Sequence, residues 1–326
     1  MSKLVTIFGG SGFVGRYIAR RLAKNGWRVR VAVRRPNEAM HVKPYGVPGQ
    51  VEPVLCNIRD DASVASVMNG SDAVVNCVGI LAEVGKNSFD AVQADGAARV
   101  ARIAAEQGVG QMVHLSAIGA DADSESDYAR TKAEGEAAVM AAFPTAVVLR
   151  PSIIFGPEDD FFNRFAGMFG PVLPLVGGET KFQPVYVVDV ARATVAALGD
   201  PAAAGQTYEL GGPDVRSMKE LMHEMLSVIR RRKMVIDLPF FVGAMMGWGF
   251  DLAKTLSFGL IKGPITADQV KLLRKDNVVS AEAKGFDDLG ITPLATEAVL
   301  PDYLWRFRPS GQYLAIKESA KNLRNK

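Results

Sequence analysis

The sequence contains little cysteine, little histidine and little net charge: 2 cysteines, 3 histidines and a formal net charge of +3 in 326 residues. Cys56 and Cys77 do not make a disulfide framework, and we expect both to be free thiols in predicted strands, as in a reducing compartment. The histidines are scattered and lie near no cysteine cluster, so we expect no metal site. A charge of this size does not by itself attract nucleic acid, and we expect no nucleic-acid partner.

The sequence also lacks a long apolar run. The longest nearly charge-free stretch near the C-terminus, residues 238–250, lies between Asp237 and Asp251 and is shorter than the roughly twenty residues that cross a bilayer. At the N-terminus the first predicted strand begins at Leu4, which leaves no room for a signal peptide. We therefore expect neither a transmembrane helix nor a signal peptide, and a chain that starts in the cytoplasm.

A glycine-rich turn follows the first predicted strand, and residues 9–15 read GGSGFVG before a helical pattern begins. In such a turn Gly9 permits a backbone twist, Gly12 lets the backbone approach a pyrophosphate, and Gly15 lets the helix pack close to the strand. Surface turns between a strand and a helix also collect glycine, so the pattern needs its context. The strand before the turn and the helix after it provide that context, and together with the turn they predict a dinucleotide site. Its residues are Gly9, Gly10, Ser11, Gly12, Phe13, Val14 and Gly15.

The second predicted strand, residues 27–33, completes a βαβ unit of the length that such a site requires. At its end an NAD site normally places Asp or Glu on the ribose 2′-hydroxyl, but this chain has Arg34 and Arg35. A guanidinium pairs strongly with a 2′-phosphate, which favours NADPH over NADH as the ligand. The alternative is an ordinary solvated basic turn.

Strand and helix patterns alternate through the first half of the chain, and the predicted strands are too apolar to face water. This predicts an α/β fold, a Rossmann-like doubly wound parallel sheet with helices on both faces. After residue 157 the alternation stops, glycine and proline accumulate, and residues 208–212 then return to the sheet. We expect a NADP-binding Rossmann domain of residues 1–157 and 183–216, and a smaller, mostly helical C-terminal lobe of residues 158–182 and 217–326.

Tyr128 and Lys132 lie four residues apart at the start of a predicted helix, and therefore on one face of it. A tyrosine hydroxyl, with a pKa of about 10, transfers protons poorly at neutral pH unless a nearby ammonium favours the phenolate. Lys132 is placed to do this, or to hydrogen-bond a nicotinamide ribose. Tyrosine and lysine at this spacing are also common by chance.

These features together resemble the extended or atypical branch of the short-chain dehydrogenase/reductase superfamily, over nearly all of residues 1–215. The matching segments include the glycine turn, residues 150–157 and residues 185–191. In that family the matching positions surround the adenine, phosphates, ribose and nicotinamide. The resemblance adds to the predicted cofactor site Asn57, Ile58, Cys77, Val78, Gly79, Leu115, Ser116, Tyr128, Lys132, Pro151 and Ile153.

One position departs from the pattern of that family. Extended reductases and epimerases carry Ser or Thr two residues beyond the position of Ser116, where its hydroxyl polarises the substrate carbonyl, and this chain has Ile118 there. Isoleucine cannot donate a hydrogen bond, and loss of such a donor typically costs roughly two orders of magnitude in rate. Ser116 points to the same strand face but deeper in the sheet. We therefore assign no catalytic residue.

A closer resemblance is to the NADPH-binding accessory subunit of respiratory complex I. It implies a peripheral, non-catalytic subunit that holds NADPH tightly near the junction of the hydrophilic arm and the membrane, on the cytoplasmic side of the inner (plasma) membrane, beside other complex I subunits. The alternatives are a NADP-dependent reductase or epimerase of the same class acting on a small carbonyl substrate, and a regulatory nucleotide sensor. The segments that carry this resemblance are residues 40–44, 128–136, 143–144, 151–160, 183–190, 265–270 and 287–291.

Basic residues accompany the apolar stretch near the C-terminus. Residues 230–233 read RRRK ahead of the aromatic and Met-rich residues 240–250, a composition that suits an anionic membrane surface or an acidic partner. The alternative is a buried helix of the lobe, because Gly243, Gly247 and Gly249 interrupt an amphipathic stripe. The C-terminal tail is also basic, since its single carboxylate, Glu318, is outnumbered by basic side chains. These are Arg306, Arg308, Lys317, Lys321, Arg324 and Lys326.

Overall fold

A computed structural model gives the fold of residues 2–256, 263, 265–309, 311 and 313. These residues contain thirteen β-strands and ten α-helices. The strands are β1 (Leu4–Phe8), β2 (Arg28–Val33), β3 (Val51–Leu55), β4 (Ala73–Asn76), β5 (Gln111–Leu115), β6 (Val147–Pro151), β7 (Ile154–Phe155), β8 (Val172–Val176), β9 (Lys181–Phe182), β10 (Val185–Tyr186), β11 (Thr207–Leu210), β12 (Arg216–Ser217) and β13 (Met234–Leu238). The helices are α1 (Phe13–Lys24), α2 (Asp61–Met68), α3 (Asp95–Glu106), α4 (Asp127–Ala142), α5 (Phe161–Gly167), α6 (Val187–Gly199), α7 (Met218–Val228), α8 (Phe240–Leu256), α9 (Ala267–Leu272) and α10 (Thr296–Leu304).

Seven strands form a parallel sheet in the order β3-β2-β1-β4-β5-β6-β11. The chain builds the sheet outward from β1 in one direction and then from β4 in the other, which makes it doubly wound. Its central strand β1 is buried along its whole length, because helices cover both faces of the sheet. The predicted Rossmann-like α/β fold is confirmed, including the return of the chain to the sheet at β11.

Two hydrophobic cores lie on the two faces of the sheet. On one face Ile18 of α1 and Val190 of α6 pack with β1 and β5, and a 3₁₀ segment, Pro36–Tyr45, extends this layer. On the other face α2, α3 and α4 bury a second apolar cluster that includes Val100 and Val139. Strands up to β3 are added on one side of β1, and strands from β4 onward are added on the other side. Because the order reverses there, the carboxyl ends of β1 and β4 open a crevice where α/β proteins bind ligands.

A third hydrophobic cluster lies outside the sheet and forms the core of a smaller, mostly helical C-terminal lobe. Helices α5, α7 and α10 and strand β8 supply its buried side chains, among them Phe162, Leu173, Met222 and Leu300. Three short strand pairs border this lobe: β7 with β10 and β8 with β13 in parallel, and β9 with β12 antiparallel.

Residues 90–106 do not form one regular α-helix. The structure has a π-helical turn at Asp90–Ala94, followed by α3. The carbonyl of Gln93 in this turn lies against Gly135 of α4, where an added Cβ would collide with it. The widened turn therefore marks the closest approach of the two helices, a tertiary contact that helical periodicity does not report.

The apolar segment of residues 240–250 forms most of helix α8. Its side chains are not buried as a set: Phe241, Met245 and Trp248 are all exposed. Among the described residues, no helix combines the length and apolarity needed to cross a membrane. Of the basic tail, Arg306 and Arg308 donate to the carbonyls of Pro157 and Val228. Outside the described residues lie Lys317, Glu318, Lys321, Arg324 and Lys326.

Candidate nucleotide-binding site

The turn between β1 and α1 depends on its glycines for geometric reasons. Gly9 has φ of +75°, a left-handed conformation that side chains rarely adopt, and a Cβ there would lie 3.3 Å from the carbonyl of Cys77. A Cβ at Gly15 would lie 2.6 Å from the Gly10 Cα, so only glycine lets α1 pack against the turn. The roles predicted for Gly9 and Gly15 in shaping the backbone agree with these contacts.

The N-terminus of α1 is open toward the carboxyl edge of the sheet. Gly12 is its N-cap, with no side-chain cap and no acidic residue in the first turn. The first intrahelical bond runs from the Arg16 amide to the Gly12 carbonyl at 3.1 Å, so the amides of Phe13, Val14 and Gly15 precede the helical ladder. Donors of this kind, aligned with the helix dipole, suit a phosphate group. The glycine cradle and these amides thus fit the pyrophosphate of a dinucleotide.

Arg16 stabilises the turn by hydrogen bonds to its backbone carbonyls. Its guanidinium donates to the carbonyls of Gly12 and Ser11, each at 3.2 Å, and lies 3.5 Å from Glu158. Arg16 therefore occupies two carbonyls of the turn. The amides of Gly9, Gly10 and Gly12 donate to backbone carbonyls, so the donors left for a ligand are the amides at the start of α1. The sequence predicted no role for Arg16; its position one residue after Gly15, on the first turn of α1, was the available signal.

Arg34 and Arg35 follow β2 at the same edge of the sheet, and both are exposed. Arg35 makes an ion pair with Glu38 at 2.9 Å. Among the described residues, Arg34 has no hydrogen bond or ion pair. Of the two predicted guanidiniums, Arg34 is therefore the one whose donors are all available to a 2′-phosphate.

The other predicted residues at this edge follow β3, β4 and β6. Because the carboxyl ends of parallel strands share one edge, they lie along the same crevice. A Cβ on exposed Gly79 would lie 3.3 Å from the Lys132 Nζ, so the loop after β4 closely approaches α4. Asn57 and Gly79 are exposed, Ile58 and Pro151 are buried, and Cys77, Val78 and Ile153 are half-buried. Cys56 and Cys77 are free thiols.

Tyr128 and Lys132 lie on α4, but Lys132 does not activate Tyr128 in this structure. The Lys132 Nζ donates to the carbonyl of Leu115 at 3.2 Å, and burial lowers the pKa of Lys132 to about 8. Burial likewise raises the pKa of Tyr128 to about 12. Both pKa shifts disfavour the charged forms, a phenolate included, so they do not support the lysine-stabilised tyrosinate expected from the sequence.

Several buried polar atoms beside Lys132 lack partners. The Ser116 Oγ, the His114 Nε2 and both side-chain polar atoms of Gln93 form no hydrogen bond within the described part of the chain. Burial, and then the nearby Lys132 charge, lower the pKa of His114 to about 3, so its ring is neutral. Sequence reasoning identified neither Gln93 nor His114. Unpaired polar atoms at such depth need a hydrogen-bond partner, which water or a polar group of a ligand would supply.

Ile118 lies where the family pattern has a hydroxyl donor. It is 8% exposed, its amide donates to the Pro151 carbonyl at 3.0 Å, and its carbonyl accepts from the Asn277 Nδ2 at 3.0 Å. A cleft of about 540 Å³ opens beside it and is also lined by Tyr128 and Ile153. The side-chain wall at this position therefore offers methyl groups where a carbonyl would require a donor.

Residues of the C-terminal lobe close this cleft, and the sequence did not predict their contacts. The Asp268 carboxylate on α9 accepts from the Ser126 Oγ at 2.8 Å and from the amides of Asp127 and Tyr128 at 2.9 and 3.3 Å. It thereby caps the N-terminus of α4 from another element. Lys271 donates to the Glu125 carbonyl at 2.8 Å on the same wall.

Residues 5–211 match the model of the NAD dependent epimerase/dehydratase family. The match covers more than half of the chain, and the chain belongs to this family, the extended short-chain dehydrogenase/reductase class. Within it, the chain is 38% identical over 327 residues to "NADH dehydrogenase [ubiquinone] 1 alpha subcomplex subunit 9, mitochondrial" of Arabidopsis thaliana, with 98% of this chain and 81% of that protein covered.

Other similar proteins have names that denote different functions. A ceramide reductase of Caulobacter vibrioides is 31% identical over 269 residues, covering 79% of this chain and 82% of its own. The structure of DesIV, a dTDP-glucose 4,6-dehydratase from Streptomyces venezuelae with NAD and TYD bound, matches with a TM-score of 0.69 at 19% identity, covering 95% of this chain and 98% of that one. At that identity the likeness shows the fold alone.

Proposed function

We propose that this protein is an accessory subunit of respiratory complex I that holds NADPH as a structural cofactor without turning it over. The observation that carries the proposal is the extent of the similarity to the Arabidopsis subunit, which covers 98% of this chain. It therefore includes the C-terminal lobe beyond residue 211, where the family model ends. A shared nucleotide fold does not by itself account for similarity in that lobe.

The fit of the crevice to a dinucleotide supports the cofactor. The α1 amides hold the pyrophosphate and Arg34 pairs with the 2′-phosphate, which selects NADPH over NADH. Lys132, Ser116 and the unpaired atoms beside them would hold the ribose and the nicotinamide. A reduced nicotinamide supplies a hydride; in this chain the residues around it bind and orient. We assign this role to the Rossmann domain of residues 1–157 and 183–216, and docking to the remaining lobe.

The absence of a carbonyl-polarising side chain supports a non-catalytic role. Ile118 presents methyl groups to the cleft, and Ser116 lies deeper in the sheet. Tyr128, with a pKa raised to about 12 by burial, is a weak acid at neutral pH. Proton transfer from Tyr128 to a substrate oxygen is therefore poorly matched to neutral pH, and position 118 gives it no help.

As a subunit of this kind, the protein docks on other complex I subunits near the junction of the arm and the membrane, peripherally and on the cytoplasmic side. Purification of the tagged chain from detergent-solubilised membranes tests this placement. Co-purification with flavin- and iron–sulfur-containing subunits is the expected result. Recovery as a free monomer contradicts it.

A second candidate function is a NADP-dependent reductase of the same class. The similarity to ceramide reductase favours it, as does a cleft lined by Tyr128. In this reading Tyr128 acts as the acid and Lys132 assists. Rapid oxidation of NADPH by the purified chain with added long-chain or small carbonyl compounds would establish this function in place of the first.

A further inference from the structure

Helix α8 carries an exposed apolar stripe, defined by Phe241, Met245, Trp248 and Leu252. These side chains are 69%, 65%, 65% and 44% exposed. Their spacings of four, three and four residues place them on one narrow face of the helix. Large apolar side chains exposed in a continuous row mark an interaction surface.

The opposite face of α8 fixes the direction of the stripe. A Cβ on Gly243 would lie 2.7 Å from Val176 of β8, and one on Gly247 would lie 2.6 Å from the Ala267 amide of α9. These two glycines, which interrupt the amphipathic pattern in the sequence, thus provide close contacts with the rest of the lobe. The helix packs through backbone on its inner face, and the stripe points outward.

A second exposed apolar surface precedes α8 in the chain. In the parallel pair β8–β13, Met234 lies opposite Val172 and Ile236 lies opposite Pro174. All four are exposed, Met234 by 66%. Strand β13 ends at Leu238 and α8 begins at Phe240, so the ribbon face and the stripe are contiguous along the chain.

The charges next to these surfaces are positive. Residues 230–233, RRRK, lead directly into β13, and Arg232 is exposed. Arg231 and Lys233 donate to the backbone carbonyls of Phe307 and Met168, and within the described part of the chain neither has a carboxylate partner. The nearby Asp237 carboxylate, in contrast, is ion-paired with Lys219 at 3.0 Å.

We infer that the stripe and the ribbon face bind an anionic lipid bilayer, with the apolar side chains at the headgroup boundary and the basic segment on lipid phosphates. A groove in a partner protein would cover the exposed face of a single helix. Here exposed apolar side chains lie on a helix and on the strand pair that precedes it in the chain, and arginine and lysine are next to them in the sequence, which is the composition of a bilayer-binding surface. Trp248 supplies the amphipathic ring that favours such a boundary.

Flotation of the full chain with lipid vesicles tests the inference. We expect binding to vesicles of equimolar phosphatidylcholine and phosphatidylglycerol, and much weaker binding to pure phosphatidylcholine. The double variant Met245→Ser/Trp248→Ser should bind the anionic vesicles roughly tenfold more weakly, because two partly inserted side chains are lost. Arg232→Ser should weaken binding by roughly fivefold, and only on anionic vesicles.

The matched control is Val47→Ser/Leu55→Ser, which removes two side chains of similar exposure, 67% and 65%, from another part of the surface. It should bind like the wild type. Equal binding of the control and the stripe variant, equal binding to both vesicle types, or no binding at all overturns the inference. Photo-crosslinking from position 248 to another protein of the membrane, without transfer to lipid, does so too. Since flotation uses the isolated chain, its failure leaves the complex I proposal standing.

Discussion

The two halves of the crevice edge are held in different ways. Around Gly9 and Gly15 the close contacts join backbone to backbone, and the α1 amides face outward as a set. Around Ser116, buried polar side-chain atoms of the described residues lack partners. Ile118 stands where the family pattern has the hydroxyl that polarises a carbonyl.

The difference shows that dinucleotide binding and carbonyl chemistry rest on separable parts of this fold. A pyrophosphate site depends on where glycine lets the backbone go. Carbonyl polarisation depends on a single positioned side chain, so one substitution removes it and leaves the binding half intact.

The largest expected effect comes from disturbing the binding half. Gly15→Ala puts a methyl group 2.6 Å from the Gly10 Cα, so α1 and the turn must separate and the phosphate-facing amides move. NADPH affinity, measured by titration calorimetry, should fall about hundredfold. Gly199→Ala, at the end of α6 with no atom within 4 Å of the new Cβ, should bind like the wild type. Unchanged affinity in the Gly15 variant would refute the backbone account.

The next effect separates the two arginines. Arg34→Ala should lose NADPH affinity about thirtyfold, with little change for NADH, because a charge-assisted contact to the 2′-phosphate is lost. Arg35→Ala is the matched control, since it removes an exposed arginine already paired with Glu38. The melting-temperature rise produced by each nucleotide provides the readout. Equal rises with NADPH and NADH in the wild type would overturn the assignment of NADPH.

Ile118→Ser tests the second half directly. If the missing hydroxyl is what limits chemistry, the variant should oxidise NADPH with added carbonyl compounds about tenfold faster than the wild type, at unchanged NADPH affinity. Ile118→Val, which changes volume without adding a donor, should show no gain. Rapid NADPH oxidation by the wild type with the same carbonyl compounds would contradict the proposed difference between the half around Gly9 and the half around Ser116.

The smallest effect concerns the buried His114. Its pKa is lowered from 6.5 to about 3 in the folded protein, so below 6.5 the unfolded chain binds the extra proton and stability falls as pH falls. Between about pH 7.5 and about pH 6 this group should cost roughly 0.8 kcal/mol of unfolding free energy. Urea denaturation at the two pH values measures it. His114→Gln should remove this part of the pH dependence, and His223→Gln should keep it.

The sheet and the glycine turn were predictable because their signals are local. Apolar strands alternating with helices predict a parallel sheet, and the carboxyl ends of its strands must share one edge. The positions of Arg34, Asn57 and Ser116 along that edge follow from this alone. The contacts of Asp268 with α4 were not predictable, because 140 residues separate Asp268 from Tyr128 and no periodic pattern connects them.

The sequence by itself determined the fold class, the glycine turn, the two arginines that follow β2 and the isoleucine two residues after Ser116. Each is read from residue types at short spacings. Only the tertiary structure decided that Lys132 bonds to the Leu115 carbonyl and that α8 turns its glycines inward and its apolar stripe outward. It also decided that the Gln93 amide and the His114 Nε2 are buried without a hydrogen-bond partner among the described residues. Those outcomes depend on burial and on which elements meet, which local patterns do not encode.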